Sequence, residues 1–161
     1  MKKTRYFAAV FAGNMVFFFF YAGLAWLLSQ LNITPYGRFV NAFFKGRTRE
    51  DAKAFMEANR PLFDEMLKNA AFFSNIAITP FVGLVTGFVA GAILYSNRRA
   101  AVIWSVLTVV PVSALLLVKS AGDPFRFVYF LMLIGAAALG GYIGSSLLNK
   151  KMSEKNNVIL P

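Results

Sequence analysis

The sequence predicts an all-α membrane protein: a four-helix transmembrane bundle with an amphipathic interfacial helical segment between spans 1 and 2. Three observations carry this. Of the 161 residues, 58% are hydrophobic and 15% charged, whereas soluble domains are about half apolar and about a quarter charged. Four apolar runs reach or approach the roughly 20 residues that a helix needs to cross the hydrocarbon. Basic residues gather at the ends of those runs, as Lys2, Lys3 and Arg5, as Arg98 and Arg99, and as Lys150 and Lys151. The chain reads as one integral membrane domain over 1–161.

The first span is expected over about 6–31. It holds the block Phe17-Phe18-Phe19-Phe20 and no charge. A basic start followed by an apolar stretch also fits a signal peptide, but this stretch exceeds the roughly 7–15 residues of a signal h-region. A retained span is therefore expected.

Between spans 1 and 2, the segment 36–69 carries Phe39, Val40, Phe43 and Phe44 at helical spacing, beside Arg38, Lys45 and Arg47. That pattern predicts an amphipathic helix lying among lipid headgroups. Thr48-Arg49-Glu50-Asp51 has the form of a capping box. It opens a second one-sided helix with Ala52, Phe55, Met56 and Asn59. Pro61 can start a third turn, with Asp64 and Glu65 suited to its N-terminus, and that helix is expected to run on into the second span. Phe39, Phe43, Phe44 and Phe55 are the candidates for interfacial docking; the alternative is that the segment merely covers lipid.

The remaining spans are expected over about 70–96, 100–118 and 127–148. The third is the shortest and carries Pro111, a point for a kink. Gly83, Gly87 and Gly91 repeat every fourth residue in the second span, and Ala136, Gly140 and Gly144 do so in the fourth. Residues four apart share a helix face, and small ones let two backbones approach closely where lipid offers no hydrophobic drive to association. Spans 2 and 4 are expected to pack tightly, against each other or against a partner.

Polar residues within the spans are few. Asn14, Asn75 and Thr79 are the candidates for interhelical hydrogen bonds or a polar path. No Asp, Glu, Lys or Arg lies deep in a span, which argues against proton-coupled transport. The chain has no histidine and no cysteine, which excludes imidazole haem ligation, HExxH zinc sites, thiolate clusters and Ser-His nucleophiles. No cofactor, haem or metal is expected, and no nucleic acid either. The net charge of +10 is arranged as headgroup-facing clusters.

Catalytic carboxylates would have to come from Glu50, Asp51, Glu57, Asp64, Glu65 and Asp123, which form no linear motif. Asp123, in Gly122-Asp123-Pro124, reads as ordinary turn chemistry. The expected function is a non-enzymatic structural or assembly subunit of a membrane complex, with the lipid bilayer and a protein partner or further copies of the chain as its contacts. A passive channel or facilitator for an ion or small polar solute is the rival, and a membrane-surface enzyme the third reading. The expected location is a bacterial cytoplasmic (inner) membrane with both termini cytoplasmic. Lys and Arg number eight on the inner side and nine on the outer in that orientation, and the clustering at span ends favours it over the bare count.

Overall fold

The computed structural model describes residues 3–119 and 121–158, with side chains to Glu154. Lys2, read above as part of a basic cluster, lies outside the described residues, as do the Lys155 side chain and Ile159-Leu160-Pro161. Among those described, the secondary structure is helical and contains no strand. The helices are α1 (Lys3–Gln30), α2 (Pro35–Phe43), α3 (Arg49–Ala58), α4 (Arg60–Phe73), α5 (Thr79–Ile93), α6 (Arg98–Lys119) and α7 (Arg126–Val158). A π-helical turn, Ser74–Ile78, joins α4 to α5.

Four of the described segments are long and apolar enough to cross a membrane: Lys3–Gln30, Arg60–Ile93, Arg98–Lys119 and Arg126–Glu154. Even the shortest suffices, since 22 residues rising about 1.5 Å each give roughly 33 Å against about 30 Å of hydrocarbon. The second long segment begins at Arg60, ten residues before the apolar run, in keeping with the expectation that a helix opening at Pro61 runs on into it: Pro61 sits in the first turn of α4, where its missing N–H costs nothing. One boundary differs from the sequence reading. The last helix continues past Leu148 to Val158, since the polar stretch that follows offers neither glycine nor proline to stop it.

The chain divides into two compact units, one of residues 1–20 and 79–161, the other of residues 21–78. In the first, α5, α6 and α7 pack closely, and α1 contributes Ala9, Gly13 and Phe17 as its buried residues. Neighbouring positions give the directions. Gly83, Gly87 and Gly91 face Leu133, Ala137 and Gly141 in the same order, so α5 and α7 run parallel. The hydroxyl of Ser105 on α6 donates to the Gly87 carbonyl at 3.1 Å, and Leu94 clusters with Ala101, so α6 runs opposite to α5. Helix α6 continues through Pro111, which is exposed.

The second unit has its own core. Phe39, Phe43 and Ala70 are buried, and Tyr36, Val40, Phe55, Met56, Phe63 and Met66 pack around them. Helix α2 starts cleanly because Thr34 accepts from the Gly37 N–H at 3.0 Å and Pro35 occupies the first turn. At α3, the Thr48 hydroxyl oxygen accepts from the Asp51 N–H at 3.2 Å and donates to the Asp51 carboxylate at 2.7 Å. The carboxylate thus takes the cap's hydroxyl proton, where a capping box would have it reach the cap's backbone N–H. Replacing Thr48 with Ala should cost about 1 kcal/mol of local stability, read as faster amide hydrogen exchange across Arg49–Ala58 with little change in α4.

The π turn has a physical cause in Pro80. Proline lacks an N–H and its ring would strike the carbonyl four residues earlier, here that of Ile76. Widening the preceding turn by one residue relieves that collision and keeps the helix continuous.

Candidate functional site

Two places in the fold concentrate distinctive chemistry. The first is the α5–α7 contact in the unit of residues 1–20 and 79–161. A Cβ added at Gly87 would fall 2.8 Å from the Ala137 carbonyl carbon and closer still to its oxygen; at Gly91 it would fall 2.7 Å from the Gly141 Cα. From the other side, a Cβ at Gly140 would meet the Phe88 amide nitrogen at 2.8 Å, and one at Gly144 the Phe88 carbonyl carbon at 3.0 Å. The obstructing atoms are backbone, so these glycines are required by proximity rather than by conformation. Gly83 instead faces the Leu133 side chain, and Ala136 is only half-buried, while Ala137 beside it is fully buried. The α7 surface that meets the glycine row of α5 is thus Leu133, Ala137 and Gly141, displaced one residue from the row picked out in the sequence. Gly140 and Gly144 pack onto the backbone of Leu84 and Phe88.

Ser105 completes this contact. It is fully buried, donates to the Gly87 carbonyl, and lies where a Cβ on Gly141 would meet its own Cβ at 2.8 Å. Its place was unreadable in the sequence, where it is one of several hydroxyls in an apolar run.

Other polar groups within the long helices are mostly bound to their own backbone. Asn14 donates to the Val10 carbonyl at 2.9 Å, Thr108 to Trp104 at 2.8 Å and Ser113 to Val109 at 2.7 Å. Thr79 is buried, and Asn75 sits half-buried in the π turn. Asn14 and Thr79 belong to one unit and Asn75 to the other.

The second place is the unit of residues 21–78. Phe39 is 8% exposed and Phe43 fully buried; Phe55 borders their cluster, and Phe44 is 41% exposed. Of the four docking candidates, two therefore face inward: α3 and α4 supply the apolar surface that α2 alone seemed to need from lipid. Arg47 lies 3.9 Å over the Phe55 ring and donates to the Ala42 carbonyl at 2.6 Å, tying the α2–α3 turn to the cluster.

The approach of α1 to α2 is set by residues that carried no sequence signal. A Cβ on Gly37 would collide with the carbonyls of Leu28 and Leu31, and the Asn41 amide donates to Ser29 at 2.9 Å and to Gly37 at 2.8 Å. Tyr21 and Ser74 hydroxyls are hydrogen-bonded at 2.9 Å. Burial pushes the Tyr36 phenol above its ordinary pKa, and Tyr21 adds to the shift.

Four of the six candidate carboxylates are engaged locally. Asp51 takes the Thr48 hydroxyl, Glu57 pairs with Lys53 at 4.0 Å, and Asp64 with Arg60 at 3.1 Å. Asp123 accepts from the Phe125 N–H at 2.8 Å and from the Tyr129 hydroxyl at 2.9 Å, so it holds the first turn of α7 as well as making its own turn. Among the described residues, no three His, Cys, Asp or Glu side chains converge on a metal-sized space.

The chain matches no protein-family model, and comparison with curated proteins and with solved structures gives no significant match.

Proposed function

We propose that this is an integral membrane protein whose four long helices form a transmembrane bundle, and that it serves as a non-enzymatic structural or assembly subunit of a membrane complex. The observation that carries the reading is the α5–α7 contact, where glycine brings the two backbones together and Ser105 seals the third helix onto them. Such packing fills the interior with backbone and small side chains. It favours a rigid body that acts through its surface over one that passes a solute through its centre. Of the buried hydroxyls on α6, Thr108 and Ser113 are bound to carbonyls of their own helix and Ser105 to that of Gly87, while Thr86 on α5 is buried without a partner among the described residues.

Native mass spectrometry after gentle detergent extraction from the source membrane tests this. A stoichiometric partner protein or a discrete oligomer is expected. Sustained ion or solute flux through the purified protein in liposomes would overturn the reading in favour of a channel.

We further propose a bacterial cytoplasmic membrane with both termini cytoplasmic. Arg5 lies 5.9 Å from the Tyr95 ring centroid and Arg98 5.1 Å from that of Tyr142, so the start of α1, the α5–α6 turn and the end of α7 share one end. That end gathers Lys3, Arg5, Arg98, Arg99, Lys150 and Lys151, the clustering expected of a cytoplasmic face. The sequence contains no cysteine, so single introduced thiols report sidedness without background. Thr4→Cys and Ser153→Cys should resist a membrane-impermeant maleimide in intact cells, whereas Lys53→Cys should react; the reverse pattern would invert the topology.

A further inference from the structure

The unit of residues 21–78 contains a cleft of about 430 Å³ lined by Pro35, Arg38, Met66, Asn69, Phe72, Phe73 and Ile76. Its volume lies within the roughly 300–1,000 Å³ of small-ligand sites. We propose that this cleft binds one anionic phospholipid, the phosphate held by Arg38 and Asn69 and an acyl chain lying along Met66, Phe73 and Ile76. The inference rests on the transmembrane reading above.

Three observations choose this occupant. The polar part of the lining is a guanidinium and a side-chain amide, both able to donate to phosphate oxygens. Arg38 spends one of its five N–H donors on the Ile33 carbonyl at 3.2 Å. Among the described residues its guanidinium has no carboxylate at ion-pair distance; the ion pairs are Lys53 with Glu57 and Arg60 with Asp64.

The lining is also graded along the chain. Met66, Asn69, Phe73 and Ile76 succeed one another at three- or four-residue steps, down one side of α4 and into the π turn. Upstream lie Arg60, Asp64, Glu65 and Lys68; downstream, from Ala70 to Ile93, the run carries no charge. The cleft therefore straddles the change from polar to apolar sequence, the level at which a phosphate joins its acyl chains. A free anion would use the polar donors and leave the apolar wall bare, whereas a phospholipid uses both. Finally, Phe72 of the lining is 43% exposed, so the apolar wall of the cleft is open to a chain entering from outside.

The test uses the full chain, purified and delipidated in mild detergent, with dioleoylphosphatidylglycerol and dioleoylphosphatidylcholine as probes and native mass spectrometry as the readout. One tightly held phosphatidylglycerol is expected, with phosphatidylcholine weaker. Arg38→Gln should weaken phosphatidylglycerol binding about five- to tenfold, and Ile76→Trp, which fills the apolar end, should weaken both lipids. Arg49→Gln removes the same charge outside the cleft and should leave binding unchanged. An equal loss in Arg49→Gln would overturn the proposal in favour of diffuse attraction to basic charge. Displacement of the lipid by millimolar inorganic phosphate would overturn it in favour of a simple anion site. Carbonate washing of the source membranes separates failures: release of the protein would refute the transmembrane reading, while a carbonate-resistant protein that holds no lipid would refute the cleft alone.

Discussion

Replacing Gly87 with Leu is expected to separate α5 from α7 while leaving membrane insertion intact. The first atom of the new side chain would sit 2.8 Å from the Ala137 carbonyl carbon and nearer to its oxygen. Inserting bulk into a packed core ordinarily costs about 1–3 kcal/mol, because side chains can shift. Here the obstacle is the backbone of a long helix, so the helices themselves must move apart, and a loss above about 3 kcal/mol follows. The displaced α5 would also lose the hydrogen bond that Ser105 makes to the Gly87 carbonyl. Insertion should not suffer, since leucine partitions into the bilayer better than glycine. A stability titration in mild detergent reads the first effect and carbonate-resistant pelleting the second. Gly135→Leu is the control: its glycine has open space where a Cβ would be, and its stability should stay within about 0.5 kcal/mol of the wild type. A Gly87→Leu protein as stable as Gly135→Leu would mean that the close approach is not made.

The helices were legible because hydropathy and length answer to one physical constraint, the satisfaction of every backbone amide inside hydrocarbon. That constraint acts on runs of residues, so it located the long helices but not their ends. The start of α4 at Arg60 belongs to no apolar run and was legible instead from Pro61, which favours the first turn of a helix. Nor does the hydrocarbon constraint register a π turn. The collision that Pro80 would otherwise make could be anticipated, but the choice among kinking, breaking and widening depends on neighbours distant in sequence.

Partner faces were less legible than helices. A four-residue period marks Gly83, Gly87 and Gly91 as one face of α5, and that face does meet α7. On α7 two adjacent rows of small residues compete, one through Ala136, Gly140 and Gly144, the other through Ala137, Gly141 and Ser145. Periodicity cannot rank them; both are used in part, with Ala137 and Gly141 under the glycines of α5 and Gly140 and Gly144 under Leu84 and Phe88. The same limit applies to α2. An isolated amphipathic helix must place its apolar face against something, and a sequence cannot say whether that is lipid or the helices that follow. Gly37 and Asn41 show the limit most plainly, because their importance comes from the carbonyls of Leu28, Ser29 and Leu31 brought next to them.

Phe43→Ala should release α2 and α3 from their packing on α4 without dislodging the long helices. The side chain is fully buried, with its ring centroid 5.8 Å from that of Phe39, 5.5 Å from Phe55 and 5.1 Å from Phe63. Truncating a buried phenylalanine costs about 3–5 kcal/mol, from lost transfer energy and the cavity left behind. A unit of residues 21–78 has few other buried large side chains with which to absorb that loss, so the whole cluster should loosen together. Trypsin reads this directly, because Arg38, Lys45, Arg47, Arg49, Lys53, Arg60 and Lys68 punctuate the segment. Cleavage there should quicken sharply in Phe43→Ala while the fragments stay membrane-bound. Phe43→Leu, which refills most of the volume, should restore much of the protection. Phe44→Ala separates fold from surface: its ring is 41% exposed, so protection should remain near wild type. Any loss of partner binding in that variant then belongs to docking. If Phe44→Ala were to open the segment as fully as Phe43→Ala, the two rings would be equal parts of one core, and the assignment of Phe44 to the surface would fail.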